Sequence, residues 1–174
     1  MRRGHRPFGS SLSSAYADIR LLVLDVDGVC TDGGLWVDAA GQVSKRFYVR
    51  DGSGMVRLQR SGVPVCWLTG RSDPSVEARA KELGIARLVS GCHDKADGIR
   101  RLSLAFEVPL SAVAYMGDDL LDLPAIRLAG LGLAPADAAA EVLAAADEIC
   151  DKRGGQGCVR DLCDRLIAAR KEGQ

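Results

Sequence analysis

The sequence predicts an α/β fold with a Rossmann-like parallel sheet, helices on both faces of that sheet and a small β-hairpin flap. Short, nearly continuous apolar runs indicate strands buried on both faces, and they alternate with helical stretches of about ten residues. Hydrophobic residues make up 47% of the 174 residues, which suits one globular domain. We expect that domain to span residues 19–170, after a flexible N-terminal tail over residues 1–18.

The individual elements follow from local sequence. A hairpin is expected within residues 34–49, because two β-prone stretches flank a turn at 39–41. Asp51 is expected to cap the next helix, and Pro74 suits a first helical turn. Strands are predicted at residues 21–26, 63–68, 86–89, 112–116, 131–134 and 148–150. Helices are predicted at residues 51–60, 74–83, 94–106, 120–128, 137–145 and 158–170, the last within a C-terminal tail and helix at 151–174.

Composition excludes several classes of partner. The chain has 23 Lys and Arg and 23 Asp and Glu, so its formal net charge is zero and no nucleic-acid partner is expected. Apolar runs fall short of the roughly 18 to 20 residues of a membrane helix, and no membrane partner is expected. The basic, Ser/Gly-rich start lacks a secretory signal, so the six cysteines are interpreted as free thiols in a reducing cytoplasm.

The ends of four consecutive predicted strands carry most of the candidate chemistry. In open parallel sheets, ligands bind beyond the carboxyl ends of the strands. Carboxylates crowded at one edge repel one another unless a cation is present, and oxygen ligands without nearby His or Cys favour Mg²⁺ over zinc. The segments concerned are Asp25-Val26-Asp27-Gly28, Thr69-Gly70-Arg71, Lys95 and Gly117-Asp118-Asp119.

This set of side chains suits phosphoryl transfer. Mg²⁺ prefers to bridge carboxylates to a phosphate, and Lys95 and Thr69 can hold other phosphate oxygens. A carboxylate beside the metal can attack phosphorus and form an aspartyl-phosphate. A second acid, two residues on, can protonate the leaving oxygen and later activate water. A strand points Asp25 and Asp27 to the same face, as such a pair requires.

The order and spacing of these motifs resemble the four motifs of the haloacid dehalogenase superfamily of phosphohydrolases. Two more segments, Val49-Arg50-Asp51-Gly52 and Gly154-Gly155-Gln156-Gly157, are similar to parts of the 3-deoxy-D-manno-octulosonate 8-phosphate phosphatase family and of related acylneuraminate-type phosphatases. The resemblance covers residues 19–167. It implies a Mg²⁺-dependent phosphatase of a 2-keto-3-deoxy sugar acid phosphate, without a large cap domain, acting in lipopolysaccharide biosynthesis in the cytoplasm.

The resemblance also implies metal-binding and catalytic roles for the matching residues. Asp25 is expected to be the nucleophile and a Mg²⁺ ligand. Asp27 is expected to be the general acid/base and to bind the metal through its backbone carbonyl. Asp118 is the expected third ligand, with Asp119 supporting it from behind.

Phosphate and substrate contacts follow from the same resemblance. Thr69 and Lys95 are expected to bind the phosphoryl group. Arginine suits the sugar acid, because its guanidinium can pair with a carboxylate through two hydrogen bonds. The expected substrate contacts are Asp27, Arg50, Asp51, Gly52, Gly70, Arg71, Arg79 and Lys95. Asp122 either caps the following helix or joins the site, and His93 is interpreted as a bystander.

The resemblance implies a homotetramer in which the hairpins meet at the centre. The Gly-rich segment 154–157 of one subunit is expected to cover a neighbour's site, with Lys152 and Arg153 completing the pocket. Tyr48 and Val56 replace an Asn and an Arg of the octulosonate phosphatases. This keeps open a sialic-type 9-phosphate as substrate, and a third hypothesis is a non-catalytic tetramerising module for a partner enzyme.

Overall fold

The computed structural model describes residues 13–172 and contains seven α-helices and eight strands in that range. The strands are β1 (Leu21–Leu24), β2 (Trp36–Val37), β3 (Val43–Ser44), β4 (Val65–Leu68), β5 (Arg87–Val89), β6 (Val113–Met116), β7 (Leu131–Ala134) and β8 (Glu148–Ile149). The helices are α1 (Ser13–Ala17), α2 (Val49–Arg60), α3 (Pro74–Glu82), α4 (Lys95–Ala105), α5 (Leu123–Leu128), α6 (Ala140–Ala145) and α7 (Cys158–Glu172). Short 3₁₀ turns span Leu110–Ala112 and Leu120–Asp122.

Six of the strands form one parallel sheet, which confirms the predicted fold class. The strand order is β5-β4-β1-β6-β7-β8, and every neighbouring pair is parallel. Separate apolar clusters cover the two faces of this sheet, one including side chains of α1, α2, α3 and α7, the other including side chains of α4, α5 and α6. The central strand β1 is fully buried, as its run of Leu and Val predicts.

The folded part of the chain begins earlier than expected. Helix α1 lies within the predicted tail, and Tyr16 is buried in the core cluster that also includes residues of α7. A domain boundary at residue 19 therefore leaves out a helical turn that covers one end of the core. The rest of the predicted tail, residues 1–12, lies outside the described residues.

Helix α2 is not capped by Asp51, which corrects that prediction. Its N-cap is Tyr48, and Asp51 lies in its first turn. The buried carboxylate of Asp51 accepts hydrogen bonds from the backbone N–H groups of Gly157 (3.2 Å) and Arg160 (2.8 Å). Asp51 thus satisfies free N–H groups at the start of α7, a helix more than a hundred residues away in sequence.

Two further helices differ from their predicted spans. The predicted helix 120–128 is a 3₁₀ turn followed by α5, because Asp119 and Asp122 form a capping box around the turn. The predicted helix 137–145 begins at Ala140.

The hairpin flap, residues 34–49, confirms the predicted hairpin but is small. Its two strands, β2 and β3, pair antiparallel over two residues each. A single bridge between Thr31 and Phe47 joins its base to the body of the protein. The Phe47 ring stacks on Trp67 of β4, with ring centroids 5.8 Å apart.

Within the described residues, no helix combines the length and the apolar character needed to cross a membrane.

Candidate active site

The ends of β1, β4 and β6 open into one cavity of about 470 Å³. These strands are adjacent in the sheet, so the residues that follow them converge at its carboxyl edge. The structure therefore brings together most of the residues that the sequence predicts. The predicted site residues that line the cavity are Asp25, Asp27, Thr69, Gly70, Arg71, Lys95, Asp118 and Asp119.

A buried ion pair lies at the bottom of the cavity. Asp25 directly follows β1, and its backbone N–H donates to Met116 O of the neighbouring strand at 2.9 Å. Lys95, the first residue of α4, is buried and donates from Nζ to Asp25 Oδ1 and, at 2.5 Å, to Leu68 O. A buried ammonium needs such partners, which fix its position beside Asp25.

Two further carboxylates complete the group. One oxygen each of Asp25, Asp118 and Asp122 lies within 4.8 Å of the other two. We call Asp25, Lys95, Asp118 and Asp122 the strand-end cluster. Lys95 Nζ lies 3.7 Å from Asp122 Oδ1, so its charge also reaches this second acid.

Asp122 is a buried member of the cluster and not only a helix cap. Its Oδ2 accepts the N–H groups of Asp118 (3.0 Å) and Asp119 (3.2 Å), and its Oδ1 accepts the hydroxyl of Tyr115 at 2.6 Å. These bonds use much of the hydrogen-bonding capacity of the Asp122 carboxylate, and they fix the conformation of the loop that carries Asp118. Asp119 lines the cavity but is exposed, and its Oδ1 accepts a hydrogen bond from the backbone N–H of Leu120 at 2.7 Å.

Burial and crowding shift the acids toward their protonated forms. Burial raises the pKa of Asp25 to about 7, with a further rise from Asp122, although Lys95 opposes it. Burial, followed by the charges of Asp25 and Asp122, raises the pKa of Asp118 to about 8. A divalent cation between these oxygens would offset the repulsion, and an all-carboxylate donor set suits a hard cation such as Mg²⁺. The residues present thus fit the predicted metal.

Gly28 is required for this arrangement. Its backbone has φ +89°, and a Cβ built on it would lie 2.0 Å from Asp118 Oδ2. A larger residue would therefore have to displace the Asp118 carboxylate, in addition to the backbone strain of a positive φ. The Gly after the Asp-x-Asp motif provides room for a carboxylate from another strand.

Asp27 is paired with a lysine that sequence reasoning missed. Lys45 Nζ, from the hairpin flap, lies 2.7 Å from Asp27 Oδ1 and 3.0 Å from Asp27 Oδ2. Arg71 Nε is 3.9 Å from Asp27 Oδ2. A lysine on a short hairpin is usually solvated, so no sequence pattern marked Lys45 as a member of the site.

The segment after β4 lines the opposite wall of the cavity. Thr69 is buried, and its Oγ1 accepts the backbone N–H of Arg71 at 3.2 Å. The side chain of Arg71 is 61% exposed, so its guanidinium is available to a ligand at the cavity mouth. His93 and the exposed Leu121 also line the cavity, and the interpretation of His93 as a bystander to the chemistry stays a prediction.

Four predicted substrate contacts lie away from this cavity. Asp51 is engaged with α7, as described above, and Arg50 is exposed in the first turn of α2. Arg79 packs against Gly52, where a Cβ would lie 2.6 Å from Arg79 Nη2, and it pairs with Glu82 at 2.7 Å. Within one subunit, Arg79 and Gly52 form a contact between α3 and α2, and the predicted contact of all four residues with substrate stays a prediction.

The Gly-rich segment 154–157 packs against its own chain, and the expectation that it also covers a neighbour's site stays a prediction. Gly155 N donates to Val29 O at 2.9 Å, and a Cβ at Gly154 would lie 1.8 Å from Gly28 O. Lys152 and Arg153 pair with Asp161 (2.9 Å) and Asp137 (3.3 Å) of the same chain. The glycines allow this segment to pack closely against the loop after β1.

Comparison with known proteins agrees with this geometry. Residues 84–160 match the haloacid dehalogenase-like hydrolase family. The chain is 38% identical to the 3-deoxy-D-manno-octulosonate 8-phosphate phosphatase of Yersinia pestis, over 94% of this chain and 88% of that protein. It is 39% identical to the Escherichia coli (strain K12) protein of the same description, over 94% and 87% of the two chains.

Solved structures give the same result. The Moraxella catarrhalis 3-deoxy-D-manno-octulosonate 8-phosphate phosphatase, in complex with a magnesium ion, a phosphate ion and a KDO molecule, superposes with a TM-score of 0.91 at 37% identity, covering 94% of each chain. The cobalt-bound Haemophilus influenzae phosphatase superposes with a TM-score of 0.88 at 36% identity, covering 90% of this chain and 92% of that one.

The fold and the strand-end cluster define a hydrolase of the haloacid dehalogenase type. Within that class, the chain belongs to the 3-deoxy-D-manno-octulosonate 8-phosphate phosphatase family.

Proposed function

We propose that this chain is a Mg²⁺-dependent phosphatase that releases inorganic phosphate from 3-deoxy-D-manno-octulosonate 8-phosphate. The observation that carries the proposal is the strand-end cluster, in which Lys95 contacts Asp25 and the oxygens of three carboxylates lie within 4.8 Å of one another. The similarity of nearly the whole chain to phosphatases of that sugar phosphate supports this choice of substrate.

The nucleophile in this proposal is Asp25. One of its oxygens forms a bond to phosphorus while the bond from phosphorus to the sugar oxygen breaks, and Asp27 gives a proton to that oxygen. Water then attacks phosphorus, Asp27 takes its proton, and the Asp25–phosphorus bond breaks. Thr69 and Lys95, which line the cavity beside Asp25, bind the phosphoryl oxygens.

Mg²⁺ would be held by the Asp25 and Asp118 carboxylates and by the backbone carbonyl of Asp27. When bound, it neutralises the negative charge shared by the nucleophile and the phosphate. Asp122 fixes Asp118 through the two backbone N–H bonds described above, so its role is to orient a ligand. Arg71, exposed at the cavity mouth, is placed to pair with the carboxylate of the sugar acid.

A phosphate-release assay with Mg²⁺ tests this function. The panel contains the octulosonate 8-phosphate, sialic-type 9-phosphates and simple sugar phosphates, so the alternative substrate is examined directly. We expect Asp25→Asn to lower kcat by at least ~10³-fold while the fold is retained. Asp97→Asn is the matched control, because Asp97 forms an exposed i,i+4 pair with Arg101 on α4.

Two results would contradict the proposal. Unchanged turnover in Asp25→Asn would remove Asp25 as the nucleophile. Equally low wild-type rates across the whole panel would favour the non-catalytic tetramerising module.

We also propose that the chain forms a homotetramer through the hairpin flap. Trp36 and Val37 are 58% and 62% exposed, and Leu35 beside them is exposed as well. A two-stranded hairpin is unstable alone, and an exposed apolar patch on its first strand indicates burial in an interface. The six free, buried cysteines support placing this assembly in the cytoplasm.

Light scattering on the purified protein tests the assembly. We expect four chain masses for the wild type and a lower mass for Trp36→Ser combined with Val37→Ser. Leu104→Ser, which also changes an exposed apolar residue but lies on α4, should leave the mass unchanged. A wild-type mass of one chain would refute the tetramer.

A further inference from the structure

Lys45 is a buried cation that reaches the active site from the hairpin flap. Its side chain is 0% exposed, although it follows a strand of only two residues. Besides its two contacts with Asp27, its Nζ lies 3.3 Å from Asp73 Oδ2. One ammonium group thus joins the flap, the loop after β1 and the start of α3.

Asp73 is the second carboxylate that contacts this lysine. It is the N-cap of α3, and its Oδ1 accepts the N–H of Ser75 (2.8 Å) and the hydroxyl of Ser75 (2.7 Å). These bonds fix the carboxylate and leave Oδ2 for Lys45. The position of Lys45 is therefore set by a capped helix and not by the small hairpin alone.

The contact between Lys45 and Asp27 affects the position of the Asp27 carboxylate relative to the other acids. That carboxylate is not part of the group of oxygens formed by Asp25, Asp118 and Asp122. A carboxylate two residues from Asp25 would be attracted to a divalent cation in that group, and a metal-bound carboxylate is a poor proton carrier. Lys45 contacts both oxygens of Asp27 and so supplies a competing positive charge.

We propose that Lys45 is a positioning residue that holds the Asp27 carboxylate in place for proton transfer and thereby couples the hairpin flap to the reaction. This inference rests on the proposed phosphatase function. The step it affects is the first one, in which the Asp25 oxygen–phosphorus bond forms, the phosphorus–ester oxygen bond breaks and the Asp27 proton moves to the leaving oxygen.

The leaving group provides a direct test. A sugar alkoxide leaves poorly without a proton, whereas p-nitrophenolate leaves readily without one. Loss of Lys45 should therefore slow an alkyl phosphate much more than p-nitrophenyl phosphate. The measured quantity is kcat/KM, which covers every step up to departure of the leaving group.

We expect Lys45→Met to lower kcat/KM ~100-fold on the octulosonate 8-phosphate and less than ~5-fold on p-nitrophenyl phosphate, both with saturating Mg²⁺. The ratio of the two values does not depend on how much of the protein is folded. Partial unfolding alone therefore leaves the ratio unchanged. If Lys45→Met does not yield folded protein, Lys45→Gln is used in the same comparison.

Two further variants sharpen the result. Arg46→Met is the matched control, because Arg46 is the neighbouring basic residue, half exposed and paired with Asp32 at 3.4 Å. Its alkyl-to-aryl ratio should equal that of the wild type. Asp27→Asn should shift the ratio as Lys45→Met does, and combining the two changes should shift it no further, since both act through one proton transfer.

Equal losses on both esters, or losses that multiply in the double variant, would overturn the role of Lys45. Failure of the proposed function looks different, because the wild type would then release phosphate from no ester of the panel. If the wild type prefers another alkyl ester, that ester replaces the sugar acid phosphate and the same ratio decides.

Discussion

The strand-end cluster and the hairpin flap are built in opposite ways. The cluster is presented by strands of a buried parallel sheet, and its carboxylates and lysine hold one another within a few ångströms. The flap has two strands of two residues, an exposed apolar first strand and one backbone bridge to the body. A rigid sheet can therefore hold mutually repelling charges, whereas the flap depends on side chains such as Phe47 and Lys45 for its position.

Among variants that compare the two regions, the largest expected effect comes from crowding the cluster. Gly28→Ala places a methyl group where the Asp118 carboxylate lies, so we expect kcat/KM to fall at least ~100-fold and Mg²⁺ affinity to fall with it. Gly41→Ala in the flap is the matched control, because Gly41 also has a positive φ (+77°) but nothing within 4 Å of its Cβ position. Equal activity losses in the two variants would show that backbone strain, and not the clash, is responsible.

A second effect concerns the charge of the cluster. The pKa values of about 7 for Asp25 and about 8 for Asp118 exceed the value of ~3.9 for an unfolded Asp. Between pH about 4 and about 8, the folded protein therefore binds more protons than the unfolded chain. Without metal, its free energy of unfolding should fall as pH rises from about 4 through about 8.

Thermal unfolding measures this effect. We expect the Tm of the metal-free protein to fall by ~5 °C or more between pH 5.5 and 8.5, and saturating Mg²⁺ to remove most of that fall. Asp25→Asn should weaken the pH dependence, because it removes one of the repelling charges. A Tm that rises with pH in metal-free protein would contradict the assignment.

The smallest expected effect is on the free energy of unfolding and concerns the attachment of the flap to the body of the protein. Phe47→Ala removes the ring stacked on Trp67 and should lower the free energy of unfolding by ~1–3 kcal/mol, since Phe47 is only half buried. Leu104→Ala, at a residue that is 78% exposed, should change it by less than ~0.5 kcal/mol. Denaturant unfolding compares the two, and a flap held mainly by Lys45 would show little loss in Phe47→Ala.

Much of the fold and of the site could be predicted because the relevant signals are local. The apolar runs gave the order of strands and helices, and acids directly after strands had to meet at one edge of a parallel sheet. Asp25, Asp118 and Lys95 meet there as predicted. Asp122 was left open, because an acid in a first helical turn is ordinary unless its partners, here Tyr115 and the N–H of Asp118, are known.

Other residues were misplaced because their partners are far away in sequence. Asp51 was expected to cap its own helix, but the end of the chain folds back and offers it the N-terminus of α7. The contact of the glycines at 154–157 with the loop after β1 also joins distant segments, and no local pattern predicted it. Composition alone does not distinguish a flexible Gly-rich segment from one that needs its glycines for close packing.

The sequence by itself determined the fold class and three members of the strand-end cluster, Asp25, Lys95 and Asp118, because both follow from the periodicity of strands and from the chemistry placed at their ends. The tertiary structure decided which side chains act on that cluster from outside: Lys45 on Asp27, and Gly28 as the space for Asp118. These contacts join segments that no local pattern relates, and they arise only when the hairpin, the loop after β1 and the start of α3 meet in the folded chain.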